Sequence, residues 1–118
     1  MSAARIGHVI VPAEGGLDAA IAFYVDELGL ELRFRDGDRY AAVTDGTTTL
    51  GLAAESEQPV PGEVCVSVQV PDLDVALEAW RSVDGYEIGA VVDGPHERRV
   101  VVRPPDGAAV CVYEKSPA

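Results

Sequence analysis

The chain repeats itself, and that limits what it can fold into more than any other feature does. Leu17, Asp18, Ala20, Ile21, Tyr24 and Gly29 recur as Leu73, Asp74, Ala76, Leu77, Trp80 and Gly85, all at an offset of 56. The same punctuation continues downstream, where Asp36-Gly37 falls on Asp93-Gly94 and Asp45-Gly46 falls on Asp106-Gly107. Helical periodicity alone brings leucine, alanine and aromatic residues into coincidence. Glycine break points matching in order are stronger evidence of a duplicated unit, each copy being one supersecondary module.

Each copy begins with a strand. Val64, Val66, Val68 and Val70 alternate with Cys65, Ser67 and Gln69, the period-two pattern of a half-buried strand. Pro71 cannot donate to a ladder, and Asp72 or Asp74 can cap the helix that follows. In the first copy Ile6 to Val11 is the strand and Gly15-Gly16 the break. The spacing predicts helices over Leu17 to Leu28 and Leu73 to Val83. Three more strands are expected after each helix. They are 31 to 35, 39 to 44 and 48 to 53 in the first copy, and 86 to 92, 98 to 103 and 108 to 114 in the second, with hairpins at Asp36-Gly37 and Asp93-Gly94. The expected fold is α+β: two tandem βαβββ modules forming a curled, mixed, eight-stranded sheet with both helices on its convex side. Module one covers 5–54 and module two 63–114; the proline-bearing stretch 55–62 links them as parts of a single domain.

Nine basic residues against twenty acidic ones give a net charge of −11, which repels nucleic acid and anionic lipid. No apolar run approaches the length of a membrane span, and Met1 to Arg5 lacks the regions of a signal peptide. A cytoplasmic protein is expected, with its two cysteines in a reducing compartment. No phosphate-binding glycine loop, Ser-His-Asp set or Cys-x-x-Cys pair is present.

A duplicated βαβββ unit with His8 in the first strand, Phe23-Tyr24 and Leu28-Gly29 closing the first helix, and Pro105-Asp106-Gly107 before the last strand resembles the vicinal-oxygen-chelate superfamily. That superfamily includes glyoxalase I, extradiol dioxygenases and the bleomycin and fosfomycin resistance proteins. The resemblance runs from about Arg5 to Glu114. It implies a central cup, with metal ligands in the catalytic members coming from first and last strands of the modules. Carried over, those positions fall on His8, Cys65, Leu50 and Cys111. None is a carboxylate. Glu114 lies three residues beyond Cys111, and on a period-two strand its side chain points to the opposite face.

His8, Cys65 and Cys111 form a set that suits zinc or another borderline ion, while cysteines among valines also read as small apolar packing residues. Ser67, Gln69, Leu50, Leu52 and Tyr113 are the residues expected to line the cup and contact a ligand. Trp80 and Tyr24 read as core and not as pocket residues, and His96-Glu97-Arg98-Arg99 as a solvated hairpin charge run. The resemblance to the resistance-protein branch implies a homodimer that binds a small organic molecule, without a cofactor and without chemistry. The acidic chain suits a cationic antibiotic or metabolite. The alternative is a metal-dependent lyase or dioxygenase with altered ligands.

Overall fold

The computed structural model describes residues 4–116. It divides into two compact units, one of His8–Cys65 and the other of Met1–Gly7 with Val66–Ala118. The first follows the βαβββ order, the second has one short strand more, and the class is α+β.

In the first unit, β1 (Arg5–Pro12) leads to α1 (Leu17–Ile21), which continues as a π-helical turn over Ala22–Glu27. Then come β2 (Glu31–Asp36), β3 (Tyr40–Thr44) and β4 (Thr49–Ala53). β2, β3 and β4 are successive antiparallel neighbours, and β1 lies parallel to β4. The helix runs as a regular α-helix for only part of its expected length. Leu28 N–H donates to the Phe23 carbonyl, five residues back, at 3.0 Å. The widened turn keeps both Tyr24 and Val25 in the core and leaves Phe23 exposed. Leu17 is buried with Ala41, Val43 and Leu52, and Ala20, Ile21, Leu30 and Leu50 pack around them.

In the second unit, β5 (Cys65–Gln69) runs into α2 (Leu73–Arg81). β6 (Glu87–Ile88), β7 (Val92–Asp93), β8 (Glu97–Arg103) and β9 (Val110–Lys115) follow. β5 lies parallel to β9, β9 antiparallel to β8, and both β6 and β7 pair with β8. The described residues thus hold nine strands and not eight. The strand expected over 86 to 92 is two short ones, because Ile88 stands opposite Val102 while Val92 stands opposite Arg99. One extra residue between those pairs bulges the edge and breaks the ladder.

α2 starts where its sequence says it should. Asp72 accepts from Val75 N–H at 3.1 Å, and the carboxylate of Glu114 accepts from Leu73 N–H at 2.7 Å. Leu73 and Leu77 are fully buried against Val100, Val102 and Val112. The 55–62 stretch is tied by one side chain: the Gln58 amide donates to the Ala53 carbonyl at 3.0 Å and accepts from Gly62 N–H at 2.7 Å.

Candidate functional site

Strand register decides which residues can act together. In the second unit Ser67 is level with Cys111 and Gln69 with Tyr113, while Val66 and Val68 are level with Val110 and Val112. Val110 and Val112 pack toward α2, so Ser67, Gln69, Cys111 and Tyr113 share the face that the helix leaves uncovered. Arg99 and Val101 stand directly across from Tyr113 and Cys111 on that face. Ser67 is 2 % exposed and Cys111 2 %, so this part of the face is closed; Gln69 and Arg99 are half-buried. Beside it, Glu87, Gly89, Val101 and Arg103 border a shallow depression of about 250 Å³.

Tyr113 is held closely. A Cβ on Gly7 would overlap its hydroxyl, so glycine there makes room for the ring. Burial pushes the Tyr113 phenol above its usual range, and the Glu97 carboxylate adds to the effect. Arg98, next along from Glu97, points the other way and reaches Asp74 on α2 and Asp93 on β7, each at 3.2 Å. The run 96 to 99 is therefore not a uniform solvated patch: period-two alternation splits it between the two faces of β8. Glu114 likewise turns to the helix side, as its bond to Leu73 requires.

The first unit departs from the sequence reading. Val9 is level with Leu50 and Val11 with Leu52, and both leucines pack beneath α1 with Leu17. Leu52 is 0 % exposed. Leu50 and Leu52 therefore lie on the helix face and do not line the face that carries His8. The residue that corresponds to Cys111 is Gly51, level with Ile10. Counting from the Asp-Gly turn fails because one more residue separates Gly46 from this level than separates Gly107 from Cys111. The extra length is taken up in a turn where Asp45 accepts from Thr47 and Thr48 N–H, both at 2.8 Å. Those two bonds hold the Asp45 carboxyl below its usual range.

Gly51 is covered by a residue that the sequence reading passed over. A Cβ built on it would run into the Tyr40 hydroxyl and the ring atoms beside it, so the outer end of the Tyr40 side chain covers the glycine. Pairing places Phe34 beside Ala42, Asp36 beside Tyr40 and Glu31 beside Thr44, all on this same face. A bulge between Leu32 and Phe34 brings Phe34 onto it, where it is 55 % exposed. His8 is half-buried, and burial holds its imidazole below the ordinary value. The sequence did carry a signal for this platform, namely the tyrosine opening β3 and the glycine between two leucines on β4.

A model of the Glyoxalase/Bleomycin resistance protein/Dioxygenase superfamily matches residues 5–112. The chain belongs to that superfamily. An uncharacterized protein of Mycolicibacterium smegmatis is 37 % identical over 113 residues, with 96 % of each chain covered. A crystal structure of a superfamily member from Vibrio splendidus has a TM-score of 0.72 at 18 % identity, covering 96 % of this chain and 99 % of that one. The bleomycin-binding protein of Streptomyces verticillus, solved with copper(II)-bleomycin, is 27 % identical over the full length of both chains, with a TM-score of 0.44.

Membership raises the question of a metal, and the donors present do not fit one. Among the described residues no group of three or more His, Cys, Asp or Glu side chains is placed to hold an ion. Where a superfamily enzyme needs a donor level with Cys111, this chain has Gly51, which has no side chain to offer and lies under Tyr40. Cys65 and Cys111 are buried thiols that form no disulfide. A ligand set needs three or four donor side chains reaching one point. No helix among the described residues is long and apolar enough to cross a membrane.

Proposed function

We propose that this superfamily member binds a small organic cation, an antibiotic or a metabolite, without turning it over. The observation that carries the reading is the Tyr40 side chain covering Gly51. A position that could have supplied a metal donor is instead covered by an aromatic side chain. Phe34 stands beside it and Glu31 is on the same face, while the Asp36 carboxylate there is already paired with Arg39 at 2.7 Å. Aromatic faces and carboxylates together attract organic cations: cation–π contacts contribute about 0.5–2 kcal/mol each, depending on desolvation. The chain's net charge of −11 favours the same class of ligand over any anion.

The second unit's own face offers a polar group at Gln69, which is half-buried, beside Ser67, which is buried. The reading includes a homodimer, which would bring a second copy of each face to the ligand. It also includes a cytoplasmic setting, which two buried thiols outside any disulfide suit.

The test is a thermal-shift screen of cationic antibiotics and amine metabolites. A ligand at 100 times its Kd adds about 2.7 kcal/mol of stability. Binding is expected to be lost in Phe34→Ala while the melting temperature without ligand stays where it was. Turnover of a hemithioacetal or a catechol by the purified protein would overturn the reading in favour of a lyase or dioxygenase.

A further inference from the structure

The helix side of the second unit holds an apolar cavity of about 270 Å³, away from the face discussed above. Its floor is Val68, Val110 and Val112, its wall is Trp80 and Tyr86, and Ala4 and Pro104 stand at its rim. Trp80, expected as core, does pack against the buried cluster, and it also lines this space. Its indole lies 6.1 Å from the Tyr86 ring at an interplanar angle of 12°, so the two form a stacked, rigid wall.

The duplicated units differ beside this space. In the first unit Val25 and Leu30 pack against the core, as Tyr24 does. At the matching positions the second unit has Arg81, which is exposed, and Tyr86, which stacks on Trp80. In the first unit a π-helical turn draws Val25 inward, whereas α2 ends at Arg81 with no such turn. One apolar side chain has thus been exchanged for a charged one that stays in water.

We infer that this cavity is a second binding site, for a planar, uncharged aromatic molecule of one or two rings. No residue lining it is titratable except Tyr86, so nothing there compensates a desolvated charge. Size points the same way. An apolar cavity of about 150 Å³ accepts benzene in other proteins, so the larger volume here suits a fused pair of rings. The parallel Trp80 and Tyr86 rings favour a flat molecule over a globular aliphatic one.

Trp80 is the single tryptophan of the chain, so its fluorescence reports on the site directly. Coumarin, which is neutral, planar and bicyclic, is the probe, with N-acetyltryptophanamide correcting for absorption and collision. Saturable quenching of Trp80 is expected. In Val110→Phe, which fills the floor, the apparent Kd should rise at least tenfold. Ala4→Phe, which crowds the exposed rim without touching the core, should weaken binding in the same direction even if the floor variant folds poorly. Phe34→Ala should leave coumarin binding unchanged, which separates this site from the cation platform. Quenching that stays linear with concentration, or saturable quenching that neither filling variant weakens, would overturn the assignment.

Discussion

Tyr40 and Gly51 stand on neighbouring strands with the tyrosine ring lying where a glycine Cβ would be. Each residue is intelligible only through the other. The glycine weakens β4 by leaving nothing to pack, and the ring restores that packing from β3.

Gly51→Ala should therefore destabilise the protein by about 1–3 kcal/mol, because the new methyl forces the ring off its position. In the Tyr40→Ala background the same substitution should cost much less. A double-mutant cycle by urea denaturation measures the coupling; additive effects would mean that the ring has room to move aside freely.

Glu114 and the start of α2 offer a second test. Leu73 is fully buried, and its N–H has the Glu114 carboxylate as acceptor at 2.7 Å. Removing that acceptor in Glu114→Ala is expected to cost about 1–3 kcal/mol, the cost of leaving a buried donor unsatisfied. Glu114→Gln keeps an acceptor oxygen and should lose only part of this. Chemical denaturation of both variants would show whether the loss follows the oxygen or merely the change of residue.

The two thiols are expected to be slow to react. Cys65 is 1 % exposed and Cys111 2 %, so alkylation of the native protein should wait on opening of the fold. Cys111→Ala removes one buried sulfur and should cost about 1 kcal/mol. Adding a chelator should leave the melting temperature unchanged. A large drop on chelation, or zinc in stoichiometric amount by elemental analysis, would contradict the fit of donors described above.

His8 sets an expected pH dependence. Burial holds its pKa below the ordinary 6.5, so in that window the unfolded chain binds a proton that the folded chain resists. This contribution to stability is complete above about pH 6.5 and is lost as pH falls toward the depressed folded value. His8→Gln should flatten that part of the curve. Melting temperatures of both proteins between pH 7 and 5 give the comparison, and parallel curves would show that other groups carry the slope.

Much of this could be read from residues close together in the chain. The duplication, the starts of both helices and the alternation of β5 are local patterns, and Leu17, Leu73 and Leu77 are buried where periodicity put them. The sharing of one face by Ser67, Gln69, Cys111 and Tyr113 followed as well, because the second Asp-Gly turn has the expected length. Tertiary structure alone decided that Leu50 and Leu52 sit under α1 and that Gly51 takes the level of Cys111. A parallel pair is joined through a distant connection, so its register depends on how that connection packs. One residue of difference in a turn exchanges the two faces of the strand. The cavity beside Trp80 was likewise decided by tertiary structure: the tryptophan was legible as apolar, but whether neighbours fill the space beside it depends on how residues distant in the chain pack.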